Sequence, residues 1–281
     1  MKYAYYPGCS MKTAGAPYHA SLEKVSHALS IELYEIENWV CCGSSVAHGV
    51  DPVLAATLPI HNLRLAAPHR VMAPCAECYA RFGAAIRDVS GSTKISEGVS
   101  AALGEGDLPP MPVHPVEVFR DPAVLGMIAA GIKRDLSPIR AACYYGCLLV
   151  RPPGYGIGDD PEHPVSMDVI AAGCGATPVD WESKTECCGA ALSLCEPKVA
   201  MDLSLRVINA ARHAGANCVL TACQMCHTNL ELCQKDAAQK MPVVYFTQVI
   251  GLALGFAPRE LGFGSHLIDA GPVYKAVIAD G

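Results

Sequence analysis

Fifteen of the 281 residues are cysteine, and ten of these fall into two sets with the same internal order. The first set is Cys9, then the adjacent pair Cys41–Cys42, then Cys75 and Cys78; the second is Cys147, Cys187–Cys188, Cys223 and Cys226. Spacers of 31 and 32 residues separate the groups in the first set, and 39 and 34 in the second. The flanks agree as well. Tyr5-Tyr6-Pro7-Gly8-Cys9 matches Cys143-Tyr144-Tyr145-Gly146-Cys147, Trp39 and Trp181 precede the paired cysteines, and Met111-Pro112-Val113 matches Met241-Pro242-Val243. Self-similarity of this kind identifies a duplicated supersecondary unit. The boundary falls near residue 138, giving repeats over 1–138 and 139–281.

A disulfide framework is the ordinary use of many cysteines, but it belongs to short secreted chains with an even count. Here the count is odd, no secretory signal is read at the start, and 281 residues can bury a core without staples. Thiolate ligation of a metal or cluster explains the pattern better. Net charge is -6 without basic runs, and aromatic residues make up 6%. Neither a phosphate-binding face nor a base-stacking surface follows, so nucleic acid is not an expected partner. No run of 18 or more apolar residues predicts a membrane span, and the expected location is cytoplasmic. No G-x-G-x-x-G follows the first strand, which argues against a nucleotide held by this chain.

Residues 2–6 read as a buried strand, 17–29 as a helix, 31–36 as an alternating strand, 52–67 as a helix opened by Pro52, and 70–73 as a short strand. Strands near 140–145, 177–180 and 218–222 repeat the scheme. Residues 89–110, rich in Gly, Ser and Pro, read as a loop or insertion. Strand–helix alternation predicts an α/β fold of two pseudo-symmetric repeats, each a small, mostly parallel sheet with helices. Each cysteine group directly follows a predicted strand, and ligands gather at the carboxyl ends of strands in such sheets. Three loops remote in sequence therefore converge into one five-sulfur pocket per repeat.

Zinc takes four ligands in a tetrahedron, and adjacent cysteines serve one ion poorly. Neighbouring irons of a cluster suit such a pair better. The motif C-x31-CC-x32-C-x2-C, repeated as C-x39-CC-x34-C-x2-C, resembles the cysteine-rich CCG domain. Two copies in a chain of this length are similar to the B-type subunit of heterodisulfide reductase and its bacterial relatives. The resemblance implies two [4Fe–4S] clusters of noncubane form. The first would be held by Cys9, Cys41, Cys42, Cys75 and Cys78, the second by Cys147, Cys187, Cys188, Cys223 and Cys226. It further implies reduction or formation of a disulfide between the clusters, such as the coenzyme M–coenzyme B heterodisulfide. The implied partners are a ferredoxin-like iron–sulfur subunit of the C type and a flavin subunit of the A type. Two alternatives stay open: a bacterial relative acting on a lipoyl or persulfide compound, and an electron-relay subunit without its own substrate.

Disulfide reduction needs protons or positive charge near developing thiolates. His114 lies in a His-x-x-Glu segment that matches the family, Lys12 follows the Cys9 loop, and His48 and His227 lie near ligand loops. All four are candidate proton or hydrogen-bond donors, although a histidine near a loop is more often structural or solvent-facing. Gly8, Gly43, Gly146 and Gly189 would let backbone amides approach sulfur. Cys143, Cys174, Cys195, Cys218 and Cys233 read as core packing, with Cys195 the nearest to a ligand loop.

Overall fold

The protein is represented by a computed structural model that describes residues 1–278 except 45, 46, 153 and 238, and leaves the His48 side chain outside the described residues. In the first repeat the chain runs β1 (Lys2–Tyr5), α1 (Ala16–Ala28), β2 (Glu32–Glu35), α2 (Ala47–Val50), α3 (Pro52–Leu65), β3 (Val71–Met72), α4 (Ala76–Gly91), α5 (Thr93–Leu103), α6 (Pro115–Phe119) and α7 (Pro122–Gly131). The second repeat runs β4 (Arg140–Tyr144), α8 (Ser166–Gly173), β5 (Thr177–Pro178), α9 (Pro197–His213), β6 (Cys218–Thr221), α10 (Gln224–Leu232), β7 (Val243–Tyr245), α11 (Phe246–Ala253) and α12 (Gly271–Ile278).

Two all-parallel sheets result, ordered β2-β1-β3 and β5-β4-β6-β7. They are versions of one plan, because Val113 bridges Met72 in parallel at the position that β7 fills in the second sheet. In each sheet the order reverses beside the first strand, between β1 and β3 and between β4 and β6. That reversal opens a crevice at the strand carboxyl ends. Cys9 and Cys75 follow the two strands flanking it in the first sheet, and Cys147 and Cys223 do so in the second.

Strand residues alternate between two cores, as a two-residue side-chain period requires. Ala141, Cys143, Leu220 and Val244 face one apolar cluster, while Ala142, Tyr144, Val219 and Val243 face another with Trp181, Val207 and Leu230. The first of these clusters is common to both repeats. It takes Tyr5, Leu22 and Val25 from the first and Val249, Ile250 and Leu252 from the second, as α1 packs on α11. Buried parallel strands need this cover on both faces.

One expectation is corrected. Residues 89–110 are mostly helix rather than loop: α4 continues to Gly91, α5 occupies Thr93–Leu103, and only 104–110 lack regular structure. Within the helical part the Gly and Ser content marks only a one-residue break, where Ser92 caps α5 by accepting from the Ile95 amide at 3.4 Å. Ile95, Val99 and Leu103, spaced four residues apart, then pack against the core. No helix among the described residues is long and apolar enough to cross a membrane.

Candidate functional site: two sulfur pockets

The Cys-x-x-Cys pairs sit at helix starts. Cys75 caps α4 and Cys78 follows three residues on; Cys223 and Cys226 hold the same places on α10. A spacing of three puts both sulfurs on one helix face, at the end where the dipole and free amides favour thiolate. Adjacent loops complete each set. Cys42 Sγ lies 3.2 Å from Cys78 Sγ, and Cys188 Sγ lies 3.5 Å from Cys226 Sγ. Cys9 meets Cys41, and Cys147 meets Cys187. The amide of Gly43 donates to Cys41 Sγ at 3.5 Å, and that of Gly189 to Cys187 Sγ at 3.3 Å.

Gly8 and Gly146 make the approach of the first loop possible. Both adopt positive φ, +62° and +67°, and a Cβ there would stand 3.3 Å from Cys78 Sγ and 3.2 Å from Cys226 Sγ. A side chain would be strained by the backbone and would crowd the sulfur. Two residues earlier, Tyr6 donates its hydroxyl to the carbonyl of Val40 at 2.8 Å, and Tyr144 to that of Glu186 at 2.6 Å. Each bond ties the first-strand loop to the residue just before the paired cysteines. The repeated Tyr-x-Gly-Cys spacing carried this signal, although the hydrogen bond itself does not follow from spacing.

The loops are then clamped by groups with no counterpart in the motif. Buried Asn62 on α3 accepts from the Val40 amide at 2.8 Å and donates to its carbonyl at 2.9 Å. In the second repeat Ser204 donates to the carbonyl of Cys188 at 2.7 Å, and Asn229 donates to the same carbonyl. All fifteen cysteines are free thiols, so no disulfide framework exists. Cys143, Cys174 and Cys218 are buried in the core, where burial pushes the last two thiols up to about 12. Cys233 donates to the Leu230 carbonyl, and exposed Cys195 points toward that of Leu192.

The two pockets meet. Cys75 and Cys223, one from each repeat, are both buried, and each thiol shifts the pKa of the other. Gln224, next to Cys223, donates to Ser10 Oγ, next to Cys9, at 2.8 Å. The hydrogen bond from Cys78 pulls the Cys42 thiol down to about 6, and Cys147 does the same for Cys187. Cys78 and Cys147 are pushed up in turn. Ten thiols so close together share protons rather than all ionising, and full deprotonation requires cationic charge among them. An all-sulfur donor set with a glycine cradle and amides aimed at sulfur fits iron–sulfur ligation. Adjacent cysteines and five donors per pocket do not fit tetrahedral zinc.

The expected donors are engaged elsewhere. Fully buried His114 caps α6: its Nδ1 accepts from the Val116 amide at 3.2 Å, and its Nε2 lies 3.0 Å from the carbonyl of Pro74. Burial depresses its pKa to about 4, so the ring is neutral and holds the residue before Cys75 in place. His227 Nε2 lies 3.0 Å from the Val243 carbonyl, and burial likewise depresses its pKa to about 4. Lys12 pairs with Glu35 at 2.7 Å. Partial burial raises the Glu35 carboxyl, but hydrogen bonds from Lys12 and Trp39 outweigh it and hold it low. His48 is on α2, its side chain outside the described residues.

The fold and the ten converging sulfurs define a duplicated, cysteine-rich protein with one sulfur pocket per repeat. The "Cysteine-rich domain" family CCG matches residues 3–83 and again 141–231, each span ending on or just beyond a complete sulfur set. The chain belongs to this family, as a protein like the B-type subunit of heterodisulfide reductase. It is 30% identical to the 8-methylmenaquinol:fumarate reductase membrane anchor subunit of Wolinella succinogenes, over 96% of this chain and 98% of that one. It is 33% identical to the B-type subunit of the ferredoxin/F(420)H(2)-dependent CoB-CoM heterodisulfide reductase of Methanosarcina acetivorans, over 46% of each chain. A crystal structure of a hypothetical protein from Helicobacter pylori shares the fold, with a TM-score of 0.74 at 12% identity. The match spans 95% of this chain and 51% of that one.

Proposed function

We propose that this chain holds two [4Fe–4S] clusters of noncubane form and passes electrons between a partner subunit and a disulfide/thiol couple. The observation that carries the reading is that the two five-sulfur pockets adjoin: Gln224, next to Cys223, donates to Ser10, next to Cys9, at 2.8 Å, with Cys75 and Cys223 both buried. Two one-electron centres side by side suit a two-electron change at a sulfur–sulfur bond. Held by these cysteines, the clusters would supply the electrons and Lewis-acid iron for that change.

The chain's own residues bind and position. Ten cysteines form the two ligand sets, the amides of Gly43 and Gly189 steady Cys41 and Cys187, and Tyr6 and Tyr144 fix the loops that carry them. Cys9, Cys41 and Cys187 are exposed, marking the rim at which a substrate disulfide and an electron donor would approach. Lys12, three residues after Cys9 in sequence, is a candidate cation for that rim and is held by Glu35. The reading includes a cytoplasmic location, an iron–sulfur partner of the C type and a flavin partner of the A type. Similarity to the Methanosarcina heterodisulfide reductase supports it.

A second reading rests on the full-length similarity to a fumarate reductase membrane anchor subunit. In it the clusters relay electrons at a membrane-bound complex, and no disulfide is turned over. Electron paramagnetic resonance on anaerobically prepared protein separates the two. About eight irons per chain, with a signal that changes when a candidate thiol is added, supports the first. The same iron content with a signal indifferent to thiols and disulfides supports the relay. Bound zinc with little iron defeats both.

A further inference from the structure

Residues 122–132 carry no polar side chain, yet most of them face outward. They span α7, where only Val124 and Ile128 are buried, although a helix apolar all round is ordinarily enclosed. Met127 and Ile132 are each 39% exposed, and Ala123, Gly126 and Ala130 are exposed as well. The neighbouring helix continues the surface. α7 packs on α8, where a Cβ added at Gly173 would stand 3.2 Å from Leu125. α8 turns outward Val169, 45% exposed, and Ala172, with Val165, 52% exposed, at its head. Folding does not call for such a face. α8 follows the first strand of its repeat as α1 follows β1, and α1 presents Glu23, Lys24 and His27 to the outside. One place in the duplicated plan is thus charged in one repeat and apolar in the other, and a contiguous apolar patch marks a binding surface.

The make-up of the face selects its occupant. Ala123, Gly126 and Ala130 recur at three and four residues, which puts them on one side of α7 and lets another helix come close. The large apolar side chains together expose on the order of 300 Å², well below the ~800 Å² that each partner brings to a stable protein pair. The patch is too small to carry a dimer of this chain by itself, and it suits the apolar stripe of a single helix. Charge gives that helix a direction. Arg120 ties the starts of α7 and α8 side by side, donating to Ser166 Oγ at 2.7 Å and to the Ile157 carbonyl at 2.6 Å. There Asp121 accepts from the Ala123 amide at 2.9 Å and Asp159 from the Val165 amide at 3.0 Å, with Asp160 next in the chain. Glu162 close by is paired with Arg151, so three carboxylates outnumber Arg120 at this end. Exposed Lys133 follows the opposite end of α7.

We propose that the α7–α8 face is a docking groove for one amphipathic helix of a partner subunit. Its apolar stripe lies along Met127 and Val169, and its basic end meets Asp121 and Asp160. The proposal rests on the partner-subunit part of the reading above and not on its clusters. Its test is photo-cross-linking of the complex as the producing cells assemble it, with the products mapped by mass spectrometry. A photoreactive side chain is placed at position 127 or 169 and, as control, at position 23 on the charged face of α1. Positions 127 and 169 should join one helical segment of another polypeptide, apolar at every third or fourth residue and with Lys or Arg at one end. Position 23 should not. Met127→Lys and Val169→Lys, both surface changes, should each lower recovery of that polypeptide with the chain about tenfold at unchanged iron content. Cross-links to a second copy of this chain, or no product at either position, would overturn the proposal. So would flotation of the purified chain with phosphatidylcholine–phosphatidylglycerol vesicles that Met127→Lys abolishes, since the face would then meet lipid. A partner that stays bound to both Lys variants overturns the groove and leaves the partner reading standing. A chain isolated with no other polypeptide overturns both.

Discussion

In the first repeat the paired cysteines are held from upstream, where Asn62 brackets Val40. In the second they are held from downstream, where Ser204 and Asn229 converge on the carbonyl of Cys188. The sulfur geometry is nonetheless alike: a sulfur contact of 3.2 Å against 3.5 Å, a glycine amide on sulfur at 3.5 Å against 3.3 Å, and a tyrosine hydroxyl on the preceding carbonyl in both. The difference separates what the pocket requires from what merely braces it. Tyr-x-Gly-Cys, Cys-Cys-Gly and Cys-x-x-Cys at a helix start recur because the sulfur set needs them. The braces follow whichever helix packs nearby, α3 in one repeat and α9 with α10 in the other.

The largest effects come from the sulfurs. Cys42→Ser should empty the first pocket alone and Cys188→Ser the second alone, each reducing iron from about eight to about four per chain. Loss of all iron in either variant would show that the pockets do not fill independently.

Removing the braces should separate the repeats next. Asn62→Ala leaves the amide and carbonyl of Val40 without that partner, at a cost of about 3 kcal/mol, and should loosen only the first pocket. Asn229→Ala should loosen only the second. Urea unfolding gives the cost, and the rate of iron loss to a chelator, resolved by cluster spectrum, shows which pocket has opened. An equal effect of both variants on both clusters would break the comparison.

Acid should act on both repeats, through buried His114 at the start of α6 in the first and buried His227 on α10 in the second. The pKa of each is depressed from 6.5 to about 4 in the folded chain. Their contribution is complete above the unfolded value and is lost as pH falls toward 4, because the unfolded chain binds the proton first. His114 alone accounts for up to about 3 kcal/mol. His114→Asn should remove its share of the pH dependence of urea unfolding between about pH 6.5 and 4 and leave that of His227.

The smallest effect tests likeness rather than difference. Tyr6→Phe and Tyr144→Phe should each cost about 1 kcal/mol in urea unfolding, because each removes one hydroxyl bond to a carbonyl. A large disparity between them would show that one loop depends on its anchor far more than the other.

The two cysteine sets and the parallel strands are legible in the chain because sulfur spacing and apolar runs are local signals. The duplication adds a second copy of each. The helix Thr93–Leu103 is hidden by its Gly, Ser and Lys content, although Ile95, Val99 and Leu103 carry its buried stripe. The adjoining of the two pockets has no sequence signal, since nothing in either repeat states how they face. His114 and His227 stand out in the sequence by nearness to ligand loops, but tertiary packing decides that both their rings reach backbone carbonyls.

The shared core bears on how such a chain could arise. Helix α1, which carries Leu22 and Val25 into the common core, packs on α11 from the other repeat. A single-copy ancestor would have carried the same face with nothing of its own to cover it. Such a molecule would have gained by pairing with its twin, and gene fusion would then have made that partnership permanent. After fusion, the two copies were free to evolve apart in everything except the surface by which they know each other.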